Sequence, residues 1–248
     1  MTPAPRRLGV VADVHANLPA LEVALDALAG VDALVCAGDL VGYGPHPNEC
    51  VARLREAGAL CVAGNHDLVA VGAPGLDRCD ALAAQALRWT RGALSDDARA
   101  FLTALPGELT VAHDVLVAHG APGDPWHYVR EPADAAAQLA RVEASVLVVG
   151  HTHRAMAVSA DARAHATDGE LALTGGTRWL LNPGSVGQSR ERRRRVRFLE
   201  LDLDTRTARF HALPYDAERT LADLRRAGIP AEAIHRQPRP WRWLPARG

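Results

Sequence analysis

Five short apolar runs in this 248-residue chain each end in residues that can bind a metal ion. Residues 8–12 lead into Asp13 and His15, residues 33–37 into Gly38-Asp39, and residues 60–63 into Gly64-Asn65-His66-Asp67. Farther on, residues 115–118 lead into His119-Gly120, and residues 146–149 into Gly150-His151-Thr152-His153. Asp13, His15, Asp39, Asn65, His119, His151 and His153 offer nitrogen and oxygen donors and no thiolate, a set that suits Mn, Fe, Co, Ni or Zn. Seven donors exceed the needs of one ion. They fit two ions sharing a carboxylate, about 3.5–4 Å apart as in two-metal phosphoester sites. Asp13/His15 and His151/His153 stand two residues apart, a spacing that in extended chain aims each pair at one centre. Gly38, Gly64 and Gly150 precede donors and let loops turn close to an ion. Any one of these residues alone is an ordinary cap or turn residue. Five strand ends carrying them together are not explained by packing, because unpartnered polar groups are costly to bury. His113, His165, His211 and His235 lack such company and read as surface or core histidines.

The elements that must position these donors follow from periodicity. The five apolar runs read as strands, and residues 18–28, 47–57, 80–94, 95–105 and 132–141 have helical spacing or helix-start signals. Strands alternating with helices predict a layered α/β fold with much parallel pairing. The C-terminal ends of parallel strands line the ligand crevice of such folds. Residues 155–159, 171–174, 178–181, 195–202 and 208–213 read as strands linked by turns, which fits an antiparallel sheet. A last helix is expected over 216–227. One domain is expected over residues 1–230, followed by a Pro/Arg-rich tail, 231–248, that carries Trp241 and Trp243.

Composition excludes several functions. All 28 basic residues are arginine, so Schiff-base chemistry and the P-loop lysine grip are absent. The formal net charge of -1 gives no global field for holding nucleic acid or an anionic membrane. Cys36, Cys50, Cys61 and Cys79 form no CxxC pair; Cys36 and Cys61 sit in apolar runs as small hydrophobes. The first apolar run is too short for a signal-peptide core or a membrane span, and a cytoplasmic location is expected. The run RERRRR, residues 190–195, reads as an exposed hairpin of solvated arginines, or as an electrostatic lure for polyanionic substrates.

Together, D13-x-H15, G38-D39, G64-N65-H66-D67, H119 and G150-H151-T152-H153 resemble the motifs of the calcineurin-like metallophosphoesterases. DVHANLPALEVAL, GDLVGYGPHPNE and LNPGSVGQ further resemble the small bacterial and archaeal phosphodiesterase branch, which has a retromer-subunit-like fold, over about residues 8–215. The resemblance implies an α/β fold: a four-layer α/β/β/α sandwich of two mixed sheets flanked by helices, with a dinuclear metal site at the strand C-terminal ends. It implies that Asp13, His15 and His153 bind one ion, that Asn65, His119 and His151 bind the other, and that Asp39 bridges both. It implies two divalent transition-metal ions, manganese first, with Fe, Ni, Co or Zn as alternatives. His66 is then no ligand but a catalytic group that contacts phosphate and protonates the leaving group.

The expected activity is phosphoester hydrolysis by a metal-activated hydroxide, as a phosphodiesterase or nucleotide phosphohydrolase acting on cyclic nucleotides, diadenosine polyphosphates or small diesters. A phosphomonoesterase or protein Ser/Thr phosphatase is one alternative, and a non-catalytic scaffold on the same fold is another. GDLVGYG stands where protein phosphatases have GDxxDRG, so neither an arginine to grip a dianion nor an acidic partner for His66 is supplied there. Asp67 is a candidate to orient His66. Tyr43, His46 and Asn48 are candidate substrate contacts, and Trp126, His127 and Tyr128 could stack on a nucleobase or simply pack. Residues 182–187, NPGSVG, form a tight turn, pack beneath the site or present N–H groups to phosphate. The expected partner is a small, nucleotide-like phosphorylated molecule, with no membrane or nucleic-acid role; self-association of the chain is left open.

Overall fold

The computed structural model describes residues 5–112, 114–174 and 176–236; His113, Trp241 and Trp243 lie outside them. One sheet holds β1 (Arg7–Val11), β2 (Ala33–Cys36), β3 (Leu60–Cys61), β9 (Gly169–Ala172), β11 (Val196–Asp202) and β12 (Thr207–Leu213). The other holds β4 (Glu108–Val111), β5 (Val115–Ala118), β6 (Val146–Val148), β7 (Ala155–Ser159), β8 (Ala164–His165) and β10 (Trp179–Pro183). The orders are β3-β2-β1-β11-β12-β9 and β4-β5-β6-β10-β7-β8. Both sheets are mixed. β1 runs parallel to β2 with Val10 opposite Val35, and antiparallel to β11 with Val10 opposite Leu199. β6 lies parallel to both β5 and β10.

Side-chain alternation builds the layers. Leu8, Val10, Val35, Leu199 and Leu201 of the first sheet meet Val117, Val146, Val148 and Leu181 of the second in one buried core. The opposite faces of the same strands present Val11, Leu34, Cys36 and Phe198 to one group of helices. That group includes α1 (Leu18–Ala27), α2 (Pro47–Glu56), α3 (Asn65–Ala70), α4 (Ala81–Ala93) and α5 (Asp96–Thr103). Leu147, Met156 and Leu180 face α6 (Pro132–Ala140) through Ala135 and Leu139. A period of two in each strand thus yields helix, sheet, sheet, helix. Each fully buried large side chain contributes roughly 1.5–3 kcal/mol.

The helix starts follow local chemistry. Asp80 accepts from the Ala83 N–H and Ser95 from the Ala98 N–H, each satisfying a helix N-terminal donor. Pro47 and Pro132 stand in the first turns of α2 and α6, and Gly228 closes α7 (Glu218–Ala227) in the left-handed region. Among the described residues no helix is long and apolar enough to cross a membrane. Cys36, Cys50 and Cys61 are buried free thiols.

Several expectations need correction. The later strands do not form a sheet of their own: β7, β8 and β10 extend the second sheet, and β9, β11 and β12 extend the first. β10 enters beside β6, and the β11–β12 hairpin folds back onto β1, because both sheets need an inner face to complete the shared core. β4, β8 and the six-residue α3 carry too few residues for a period to be read. The strand expected at 171–174 lies two residues earlier. Residues 231–236, expected in the tail, pack into the body: Ala233 and Ile234 are buried beside Leu224 of α7 and Ala86 of α4.

The loop after β10 is pinned under the end of β1. Val186 N–H donates to Ala12 O, Gly187 N–H to Asp13 O and Ser185 Oγ to Asp13 O. A Cβ at Gly187 would lie 1.9 Å from Val14 O. Gly187→Ala is therefore expected to cost about 2 kcal/mol or more in urea unfolding. Gly92→Ala, in α4 with nothing near its Cβ position, should instead gain about 0.5–1 kcal/mol.

Candidate metal centre

The C-terminal ends of β1, β2, β3, β5 and β6 converge on one buried point. Asp13, His15, Asp39 and His153 bring one ligand atom each within 4.8 Å of one another, and so do Asp39, His119 and His151. Asp39 belongs to both groups. Asn65 joins the second, its Oδ1 lying 3.1 Å from His119 Nε2. His151 and His153 fall in different groups, so the two-residue spacing does not aim that pair at one centre. The extended geometry assumed for such pairs is replaced by left-handed backbone: φ is +52° at Asp13, +47° at His15, +55° at Asp39, +66° at His151 and +59° at His153. Left-handed backbone is uncommon for residues with a Cβ, and such conformations gather at functional sites.

Hydrogen bonds from neighbouring strand ends hold this backbone. Asp13 N–H donates to Gly38 O and His15 N–H to Asp39 O. Asp13 Oδ1 accepts the His151 N–H, and Asp39 Oδ1 accepts the His66 N–H at 2.9 Å. A Cβ at Gly64 would lie 2.1 Å from Asp39 Oδ1, so only glycine lets the third strand end approach this carboxylate. Asn182 donates to Gly150 O at 2.7 Å and to Thr152 Oγ1, steadying the histidine loop from below. The NPGSVG stretch thus packs beneath the site: its Val186 and Gly187 N–H groups go to carbonyls of the chain.

The imidazoles are aimed by main-chain carbonyls. His15 Nδ1 faces Val41 O at 3.1 Å, His119 Nδ1 faces Ala37 O at 2.8 Å and His153 Nδ1 faces Gln188 O at 2.8 Å. Each bond fixes the ring and turns Nε2 toward the centre, the outer support that metal-binding histidines require. Burial holds His15, His151 and His153 well below the usual histidine pKa, so they are neutral. With Nδ1–H donating outward, the Nε2 atoms of His15 and His153 present two lone pairs only 3.1 Å apart. A cation between them turns that repulsion into two bonds.

The carboxylates give the same indication. Asp13 Oδ2, Asp39 Oδ2 and His151 Nε2 are buried without a hydrogen-bond partner among the described residues. Burial pushes the Asp13 carboxyl up to about 7, and the nearby Asp39 charge adds to the rise. For Asp39, burial would raise the pKa too, but the surrounding His119, His66 and His15 hold it below the usual carboxylate range. Burial likewise opposes charge on His119, yet the Asp39 carboxylate, 3.2 Å from Nε2, raises it to about 9. Neutral imidazoles at His15, His151 and His153, the Asp39 carboxylate and the orphaned polar atoms fit divalent cations, whose binding would displace the protons favoured on His119 and Asp13.

His66 stands beside this centre, its ring centroid 4.8 Å from that of His15 and 4.7 Å from that of Tyr43. Asp67 does not orient it: Asp67 Oδ1 accepts from Val41 N–H and Oδ2 from Gly64 N–H, which caps α3. His66, Tyr43, Trp126 and Tyr128 all line a cavity of about 820 Å³ that opens over the centre. The Tyr128 ring lies against His151 with centroids 3.7 Å apart.

Three expected substrate contacts are structural instead. His46 Nε2 pairs with Asp223 of α7 at 2.8 Å. Asn48 donates to Ala93 O and accepts from Ser95 N–H, tying α2 to the α4–α5 junction. His127 pairs with Asp134 of α6. Their closeness in sequence to the motifs reflects helix anchoring. The cavity is also lined by Arg78, Arg130, Arg154 and Arg236, which nothing in the sequence singled out, and by Arg190, from the run offered as a lure for polyanionic substrates. No spacing marks them, since each comes from a different segment. Arg190 belongs to the run read as solvated; Arg192 and Arg193 are indeed exposed.

Residues 7–206 match the model of the calcineurin-like phosphoesterase superfamily domain. A metallophosphoesterase structure from Sphaerobacter thermophilus aligns with a TM-score of 0.83 at 34% identity, covering 94% of this chain and 97% of its own. An uncharacterized protein of Methanocaldococcus jannaschii is 33% identical over 192 residues, 74% of this chain and 77% of its own. A hypothetical protein of Pyrococcus horikoshii shares the fold, with a TM-score of 0.76 at 20% identity over 92% of this chain and 96% of its own.

Because Asp39 sits in both donor groups, Asp39→Asn should lower the content of both ions together in elemental analysis. Loss of one ion with full retention of the other would contradict sharing.

Proposed function

Since the chain belongs to the calcineurin-like phosphoesterase superfamily, we propose that it is a hydrolase of small phosphodiesters or nucleotide-like phosphoesters. Asp13, His15 and His153 would hold one divalent cation, Asn65, His119 and His151 the second, and Asp39 would be shared between them. The observation that carries this reading is the seven-donor set around Asp39, complete and buried. A scaffold has no need to keep such a set at the expense of left-handed backbone. Bound divalent ions, manganese being the first candidate, lower the pKa of water and neutralise charge on phosphoryl oxygens.

The chain's own groups do the rest. The three carbonyl-anchored imidazoles keep the donor geometry fixed before substrate arrives, which limits reorganisation during the reaction. His66 lines the cavity beside the centre and is the catalytic proton donor: water oxygen adds to phosphorus and releases its proton to solvent, the phosphorus–alkoxide bond breaks, and His66 in its protonated form, which burial disfavours in the free site and an anionic phosphate would favour, passes a proton to the departing oxygen and returns to neutral imidazole. Such a transfer contributes about 10²–10⁴-fold. Tyr43 packs against both His15 and His66 and excludes water from the apolar side of that pair. Trp126 and Tyr128 line the cavity and carry the Arg78 and Arg130 guanidiniums over their rings.

The cavity arginines favour a second reading, a phosphomonoesterase, because guanidinium forks suit a dianion. Turnover of bis(para-nitrophenyl) phosphate against para-nitrophenyl phosphate, with Mn²⁺ supplied, separates the two. The diester should be the better substrate; a monoester preference supports the second reading, and silence on both contradicts hydrolysis. His66→Ala should keep the metal content of the parent protein and lose about 10²–10⁴-fold in kcat. Loss of an ion instead would make His66 a ligand.

A further inference from the structure

The cavity wall carries more positive charge than a single scissile diester requires. Five arginines line it, against one carboxylate, Asp80. Asp80 is taken by Arg236, with contacts of 2.6 and 2.9 Å. Among the described residues, Arg78, Arg130 and Arg190 have no carboxylate partner. Arg78 lies over the Trp126 ring at 4.2 Å, and Arg130 over the Tyr128 ring at 4.2 Å. Both guanidiniums thus lie on flat aromatic faces, and among the described residues their N–H groups meet no acceptor. Arg190 lines the same cavity as the candidate ligand Asn65 and as His66, which places it beside the centre.

Arg190 is also preorganised. Its Nε donates to Gln188 Oε1 at 3.2 Å. Gln188 is fully buried, and its main-chain oxygen is the acceptor that fixes His153 Nδ1. Its side-chain Nε2 donates to Ala233 O. Arg236 N–H donates to Ser189 O, and His235 Nε2 bonds Glu191 O, so residues 233–236 clamp the loop that carries Arg190. A guanidinium fixed in this way loses little freedom on meeting an anion. The cavity, about 820 Å³, is of small-molecule size, within the range of roughly 300–1,000 Å³ typical of ligand pockets.

We propose that Arg190, with Arg78 and Arg130, forms a second anion subsite beside the metal centre, and that the substrate carries at least one further phosphate next to the scissile one: a small polyphosphate-bearing nucleotide. The inference rests on the hydrolase reading and narrows its substrate class. Guanidiniums without a carboxylate partner in the cavity beside the metal centre favour an anion placed beyond the phosphorus under attack, and their planar forks match phosphate oxygens bidentately.

The test uses the Mn²⁺-loaded full chain and its Arg190→Gln variant, with kcat/KM measured on diadenosine tetraphosphate and on bis(para-nitrophenyl) phosphate, and with metal content checked for both proteins. The expected result is a kcat/KM at least tenfold higher for the polyphosphate in the parent protein. Arg190→Gln should then lose at least tenfold more on the polyphosphate than on the diester, chiefly through KM, with metal content retained. Arg190→Lys should recover only part of the loss, since it restores charge but not the fork. Equal losses on both substrates, turnover of the diester without the polyphosphate, or preference for a single-stranded oligonucleotide over both would overturn the subsite. Silence on both small substrates would overturn the hydrolase reading itself, and is told apart by the missing diester turnover.

Discussion

The burial of Asp39 between two sets of imidazoles is the constraint on which the rest of the site depends. A carboxylate there, with one oxygen unpartnered and Asp13 close by, is tolerable only if positive charge stands on both sides of it. Two cations meet that demand, and the surrounding structure is arranged to receive them. The Nδ1 atoms of His15, His119 and His153 are tied to carbonyls, so three Nε2 atoms face inward. Left-handed φ values at five donor positions are held by hydrogen bonds between adjacent strand ends. The two sheets supply the rigidity, since strands of both contribute donors and share one apolar core.

That division of labour explains what the sequence made legible. Asp13, Asp39, Asn65, His119 and His151 each follow an apolar run, and a run of four or five Val, Leu and Ala residues is readable without coordinates. The layers were legible for the same reason: a period of two sends Leu8 and Val10 inward and Val11 outward. The parting of His151 from His153 was implied by the family resemblance but not by their spacing, because it depends on left-handed turns at both residues. So was the placement of the later strands, which follows from β10 and the β11–β12 hairpin completing sheets begun far upstream.

The arginine wall was the least legible part. Arg78 precedes α4, Arg130 precedes α6, Arg190 follows β10 and Arg236 closes the described chain. Apart from Arg190, which opens the RERRRR run, nothing in their spacing distinguishes them from the other arginines of a lysine-free sequence. Only the fold brings them to one cavity beside the centre, and only Gln188 shows that one of them shares its support with a candidate ligand. His46 and Asn48 show the converse: residues near a motif in sequence are spent on holding α2 in place.

Anomalous diffraction from crystals grown with Mn²⁺ tests the central claim most directly. The account predicts two peaks about 3.5–4 Å apart, one beside Asp13, His15 and His153, the other beside Asn65, His119 and His151, with Asp39 in contact with both. One peak alone, or two peaks of which only one touches Asp39, would contradict it.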